Sequence, residues 1–178
     1  MKIEEMDGKR VMHIDTSCKL YEKKDTGIAY KIIGSNIHKG IVITKKMKKG
    51  LIKEFGLKDL AMIYSIAIYY LIKEDLELFD ILVICGDEKF SRVKQCLDIL
   101  FKENKSYFKK EIMSISDLRV ITGNKKITSY ADKISGSYRR RGIKFLGRRQ
   151  EGINLNTLRI NLKMITDKVK EIKKCSGE

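Results

Sequence analysis

The stretch Phe79-Asp80-Ile81-Leu82-Val83-Ile84-Cys85-Gly86-Asp87 constrains the fold more than any other part of the chain. Its apolar residues run on without alternating, so a strand built from it must be covered on both faces, as the central strands of a parallel sheet are. Helices to cover it stand on either side in sequence. Leu57 to Lys73 (LKDLAMIYSIAIYYLIK) is apolar for too long to be a strand and too short to span a membrane, which predicts a helix buried against a sheet. Ser91 to Lys102 is amphipathic, with Val93, Leu97 and Leu100 or Phe101 at helical spacing.

Three strands are predicted upstream: Arg10 to Asp15, Gly27 to Ile33 (closed by Gly34-Ser35-Asn36) and Gly40 to Thr44. Short connections, including the polar stretch Cys18 to Asp25, predict an antiparallel meander. Downstream, Asp117 to Thr122 (DLRVIT) reads as a fifth strand and Thr128 to Arg140 as a short helix. The order β-β-β-α-β-α-β-α predicts an α/β fold: a five-stranded mixed sheet, three antiparallel strands then parallel ones, flanked by helices. Leu155, Leu158, Leu162, Ile165, Val169 and Ile172 step by 3, 4, 3, 4, 3, the seam of one long helix. Packing on its own domain is the favoured use of that seam, with a dimer contact as the alternative. The expected division is a domain over 1–141 and a basic linker with C-terminal helix over 142–178.

Charge narrows the function. The chain carries 38 Lys+Arg against 23 Asp+Glu, a formal net charge of +15. From Tyr138 to Glu178 there are 12 Lys/Arg and 4 Asp/Glu, so over half the surplus lies in the last 41 residues. Such a surplus favours polyanions, nucleic acid first among them. A solvated basic face, or a compositional bias towards Lys and Ile, is the plainer reading. Cys18, Cys85, Cys96 and Cys175 form no CxxC pair, and no histidine stands at zinc spacing from them. Reduced thiols in a soluble, cytoplasmic protein are expected, with no membrane partner.

Four acids fall where chemistry gathers in an open sheet, beyond the strand C-termini. Asp15 closes the first strand, Asp59 opens the buried helix, Asp87 closes the apolar strand and Asp132 opens the helix after the fifth strand. If the first and fourth strands are parallel neighbours, Asp15 and Asp87 leave the sheet side by side. Carboxylates held together repel unless a cation neutralises them, and hard divalent ions with oxygen ligands do so. Each acid also has an ordinary role: Asp15 in a turn, Asp59 at a helix start, Asp87 as a cap, and Asp132 as one acid beside several basic residues.

The order of these residues resembles the ribonuclease H-like superfamily, and most of all its ribonuclease H group, over roughly residues 10–140. The resemblance is carried by Asp15-Thr16-Ser17-Cys18 after the first strand, by Asp59-Leu60-Ala61-Met62-Ile63, by Ile81 to Asp87, and by Val120-Ile121-Thr122-Gly123 followed by Ala131-Asp132-Lys133-Ile134. It implies a ribonuclease H-like fold and a metal-dependent endonuclease. Asp15 and Asp87 would bridge two Mg²⁺ or Mn²⁺ ions, and Asp59 and Asp132 would complete their shells. RNA in an RNA–DNA hybrid, or another structured nucleic acid, would be the substrate. Cys18 stands at a substrate-contact position of that family; a small buried thiol is its other reading. The chain departs from the pattern in having Asp59 where glutamate is usual, and in having no histidine in the loop 124–128.

Lys125 and Lys126 in that loop, then Arg139, Arg140, Arg141, Arg148 and Arg149, form the candidate phosphate-gripping set, with Tyr138 or Phe145 available to stack on a base. His13 shares a strand face with Asp15 and is read as packed in the sheet. The alternative to a nuclease is a nucleic-acid-binding protein of the same fold with little or no turnover; a resolvase-like DNA enzyme is a third reading.

Overall fold

The computed structural model describes residues 8–56, 60–86, 88–145 and 157–177. Its sheet is built from β1 (Val11–Thr16), β2 (Thr26–Ile32), β3 (His38–Ile43), β4 (Ile81–Ile84), β5 (Glu111–Ser114) and β6 (Thr157–Leu158), in the spatial order β5-β4-β1-β2-β3-β6. The expected meander is present: β1 pairs antiparallel with β2, and β2 antiparallel with β3. β4 lies beside β1 and parallel to it, with His13 opposite Val83 and Ile14 opposite Ile84. β5 is parallel to β4, and β6 is parallel to β3. β2 alone therefore runs against the other five, and β1, β3, β4 and β5 all finish at one end of the sheet.

Helices cover both faces. α1 (Lys45–Phe55), α2 (Leu60–Ile72), α3 (Phe90–Leu100) and α6 (Leu162–Ser176) pack on the face that carries Met12, Ile14, Ile28, Ile41, Leu82 and Ile84. Eleven of the thirteen α2 residues are buried, in keeping with a helix that is apolar all round. The seam residues Ile165, Val169 and Ile172 of α6 are fully buried in the same core. α4 (Ile115–Thr122) and α5 (Asp132–Phe145) belong to the other face, where Val11, Ile81, Val83, Cys85 and Met113 meet Leu118 and Ile127. α5 crosses β1, β2 and β3 over a trough of small residues. A β carbon on Gly27 would collide with the Ser135 carbonyl oxygen, and one on Gly40 with the Tyr138 ring. Glycine at both places is what lets the helix approach so closely.

Four expectations change. DLRVIT is not a strand: it is most of α4, and the fifth strand is the four-residue β5 just before it. The Ser114 hydroxyl accepts from the Asp117 amide while the Asp117 carboxylate accepts from the Ser114 amide, a capping box that starts a helix. Gly123, at φ 65°, ends it in the left-handed conformation. Second, α1 was not expected at all; Thr44 caps it by accepting from the Met47 amide. Third, the seam is not one helix: Leu158 lies in β6, Leu162 to Ile172 in α6, and Leu155 outside the described residues. Fourth, the boundary expected at 141/142 falls within α5; beyond it β6 pairs with β3, and α6 packs on the same core, the favoured use of the seam.

No described helix is long and apolar enough to cross a membrane. The four cysteines are free thiols, three of them buried and Cys175 exposed.

Candidate metal and nucleic-acid site

The parallel pairing of β1 and β4 decides what meets at the strand-ending end of the sheet. Asp15 is the fifth residue of β1, half-buried, and its Oδ1 accepts from the Thr16 amide at 2.7 Å. On the neighbouring strand the Cys85 amide donates to the Ile14 carbonyl at 2.8 Å, carrying the pairing to the residue just past β4. Cys85 is buried; burial, then the Ser129 hydrogen bond, then the negative charge of Asp15 act on its thiol, the second against the other two, and its pKa is pushed up to about 12. Such a thiol stays protonated and unreactive.

α2 begins at this same end. Tyr64, in its second turn, is buried, and its hydroxyl donates to the Cys85 carbonyl at 2.6 Å. Gly86, at φ 152°, passes beside the Tyr64 ring, where a β carbon would stand 3.3 Å from Cε1. The start of α5 closes the site from the opposite face. The Tyr130 amide donates to Nδ1 of His13 at 3.4 Å, and the two rings meet edge to face with centroids 5.5 Å apart. Further along α5, Nη1 of Arg139 donates to the Ser17 carbonyl at 3.1 Å and so holds the turn that follows Asp15.

His13 is fully buried, and its Nε2 has no hydrogen-bond partner among the described residues. With Nδ1 accepting, the neutral ring carries its proton on Nε2. Burial pushes its pKa down to about 4. It is packed in the sheet, as read from the sequence, but with one polar atom left over at a cost of about 1–3 kcal/mol.

Of the four acids, Asp15 lies at the end of β1 and Asp132 is exposed as the first residue of α5. Asp59 and Asp87 lie outside the described residues; Asp59 immediately precedes Leu60, and Asp87 follows Gly86. Among the described residues no group of three or more His, Cys, Asp or Glu is gathered to hold a metal ion. Of the four expected donors, only Asp15 at the end of β1 and Asp132 at the start of α5 fall among the described residues, and both are carboxylates, the ligand type that suits a hard divalent cation.

The phosphate-gripping set is dispersed. Lys125 and Lys126 are exposed in the loop between α4 and α5, and Arg140 is exposed on α5. Arg139 is half-buried and committed to Ser17. Arg141 is within α5, while Arg148 and Arg149 lie outside the described residues. Cys18 is buried, its thiol donating towards the Lys19 carbonyl at 3.7 Å. Tyr138 cannot stack on a base: it is fully buried over Gly40, its hydroxyl 3.0 Å from Nδ1 of His38. Sequence reasoning missed the polar parts played by Tyr64 and Ser129 around Cys85, because a tyrosine in an apolar helix carries no mark of where its hydroxyl will go.

Comparison of the chain with models of protein families, with curated proteins and with solved structures finds no match.

Proposed function

We propose that the protein is a divalent-metal-dependent nuclease with a ribonuclease H-like fold, hydrolysing phosphodiester bonds of an RNA–DNA hybrid or another structured nucleic acid. The observation that carries this reading is the parallel pairing of β1 with β4 inside the order β5-β4-β1-β2-β3. That pairing sends the strand bearing Asp15 and the strand leading to Asp87 out at the same end. The hydrogen bond from Tyr64 to the Cys85 carbonyl brings the start of α2, which Asp59 precedes, to that end as well. Asp132 opens α5, and Tyr130, two residues before it, lies against His13.

On this reading Asp15, Asp59, Asp87 and Asp132 hold two Mg²⁺ or Mn²⁺ ions. When bound, such a pair supplies a lowered pKa for an attacking water and charge stabilisation for the departing oxygen. The chain's own residues do the rest. Arg139 fixes the turn beyond Asp15, so the carboxylate keeps its direction as charge gathers around it. Lys125, Lys126 and Arg140 offer exposed cations to the phosphate backbone. The sheet ends give a rigid base, which positions reacting groups better than free loops do.

The test is cleavage of end-labelled RNA–DNA hybrid, single-stranded RNA and duplex DNA with Mg²⁺, with Mn²⁺ and with chelator, beside Asp87→Asn. The expected result is cutting that needs metal and is lost in the variant. Cutting by Asp87→Asn at the parent rate would refute the metal-site assignment. No cutting of any substrate, with binding retained, would favour a binding protein of the same fold.

A further inference from the structure

Lys48 is 4% exposed although it is a lysine on a surface helix. Its Nζ lies 3.3 Å from the Lys19 carbonyl oxygen, 2.7 Å from that of Glu22 and 2.9 Å from Oγ1 of Thr26. All three donors of the ammonium group therefore have acceptors. Two of these belong to the turn between β1 and β2, and the third opens β2. A second tie runs the same way: the Lys45 amide donates to Oδ1 of Asp25 at 2.6 Å. Turn and helix are thereby fastened into one body.

Besides Lys19, that body presents six exposed lysines: Lys23 and Lys24 on the turn, and Lys45, Lys46, Lys49 and Lys53 on α1. The four on α1 fall within an arc of about 100°, turned away from the buried side that carries Lys48 and Leu51. None of the six takes part in an ion pair among the described residues. The acids of the same segments are Glu22, Asp25 and Glu54, and Asp25 already accepts from the Lys45 amide. β1 and β3 both finish beside this body, at the end of the sheet where Asp15 stands.

The spacing selects the partner. From Lys45 to Lys53 the helix rises about 12 Å, over which one strand of a duplex presents three or four phosphates at about 3.4 Å each. A bilayer surface fits less well. Leu51 is buried, and Met47, Ile52 and Phe55 pack against the same core, so the lysine face of α1 offers nothing apolar to insert. We propose that the β1–β2 turn and α1 form a phosphate-contacting platform, holding the backbone of a nucleic-acid duplex against the end of the sheet that carries Asp15. The proposal deepens the nuclease reading and rests on it for the identity of the polyanion.

The experiment measures binding of the full chain to a short RNA–DNA hybrid duplex in chelator, from low to moderate salt. The platform variant is Lys45→Gln/Lys49→Gln/Lys53→Gln. The control is Lys73→Gln/Lys105→Gln/Lys109→Gln, three exposed lysines at the opposite end of the sheet. Thermal midpoints check that both fold. Each lost phosphate contact lowers the slope of log K against log salt by about 0.9, so the platform variant should lose about 2–3 from its slope and the control much less. A loss below about 1, an equal loss in the control, or no duplex binding by the parent would overturn the proposal. So would loss of binding to phosphatidylserine vesicles with the duplex slope unchanged, which would make the surface a membrane one. Because chelator silences cleavage, the result is independent of the nuclease assay. A nuclease whose slope ignores these lysines refutes the platform alone, and a chain that never cuts but shows the slope change refutes the nuclease alone.

Discussion

The two ends of the sheet treat charge in opposite ways. Where β1, β4 and β5 begin, acids are matched to cations. Asp75 accepts from both Lys39 Nζ and the Tyr30 hydroxyl at 2.9 Å, with Lys39 largely buried. Asp80 receives the Arg10 amide and, in fork geometry, its guanidinium, and this holds the carboxyl below the usual carboxylate range. Glu111 meets Lys9 at 3.3 Å. Where the strands finish, His13 keeps an unpartnered nitrogen, the Cys85 thiol is held protonated, and six lysines stand in no ion pair among the described residues. At the first end these three acids are bound by cations of the chain; at the other, a buried ring nitrogen and six lysines have no such partner among the described residues. Binding sites are assembled from the second kind of surface, since a group already satisfied has little to offer a ligand.

Exchanging carboxylates for amides at each end gives the sharpest contrast. On the proposed nuclease reading, Asp15→Asn should lower metal-dependent cleavage by about 100-fold or more while changing the unfolding midpoint little. Asp75→Asn should do the reverse, because it strands the Lys39 charge in a mostly buried place. The expected loss is about 3 kcal/mol, read from denaturant midpoints, with the proposed cleavage activity of the folded chain unchanged. If Asp15→Asn proves the more destabilising of the two, the division between the ends fails.

Acid should act on the finishing end. The unfolded chain protonates a histidine near 6.5, whereas folded His13 takes its proton only near 4. The unfolded state thus binds more protons between those values, so stability present above pH 6.5 is lost as pH falls towards 4. The loss is about 3 kcal/mol. Urea titrations in chelator at several pH values measure it, and His13→Leu should flatten the curve. The smallest effect belongs to the exposed pair at the other end. Arg10→Gln should leave the unfolding midpoint almost where it was, with the small difference shrinking further in high salt; a clear loss of stability would mean that the fork on Asp80 is a structural clamp.

Much of this architecture was legible in the sequence where periodicity and burial agreed. The meander, α2, β4 and α3 follow from alternation, from a long apolar run and from a continuous one. DLRVIT misled because Val120 and Ile121, though apolar, are exposed, at 81% and 54%. Their β-branched character suggested a strand, while Ser114 and Asp117 at capping-box spacing carried the true signal. α1 was hidden by its lysines, although Met47, Leu51, Ile52 and Phe55 step at helical spacing behind a threonine cap. β6 left no sign, since two residues cannot establish a period. At the site, Asp15 was readable as the end of a strand. The packing of Tyr138 beneath α5 was not, because it depends on Gly40 on a distant segment.

The placement of α6 bears on how the chain comes off the ribosome. Ile165, Val169 and Ile172 are buried in the same core as α2, the most apolar segment of the molecule. Until those last turns have left the exit tunnel, α2 and α3 lack part of their cover, and a nascent intermediate exposes an oily surface at the stage when aggregation competes with folding. Synthesis arrested between α5 and α6 would therefore yield a chain with every strand from β1 to β5 already made and part of the apolar surface of α2 and α3 still uncovered.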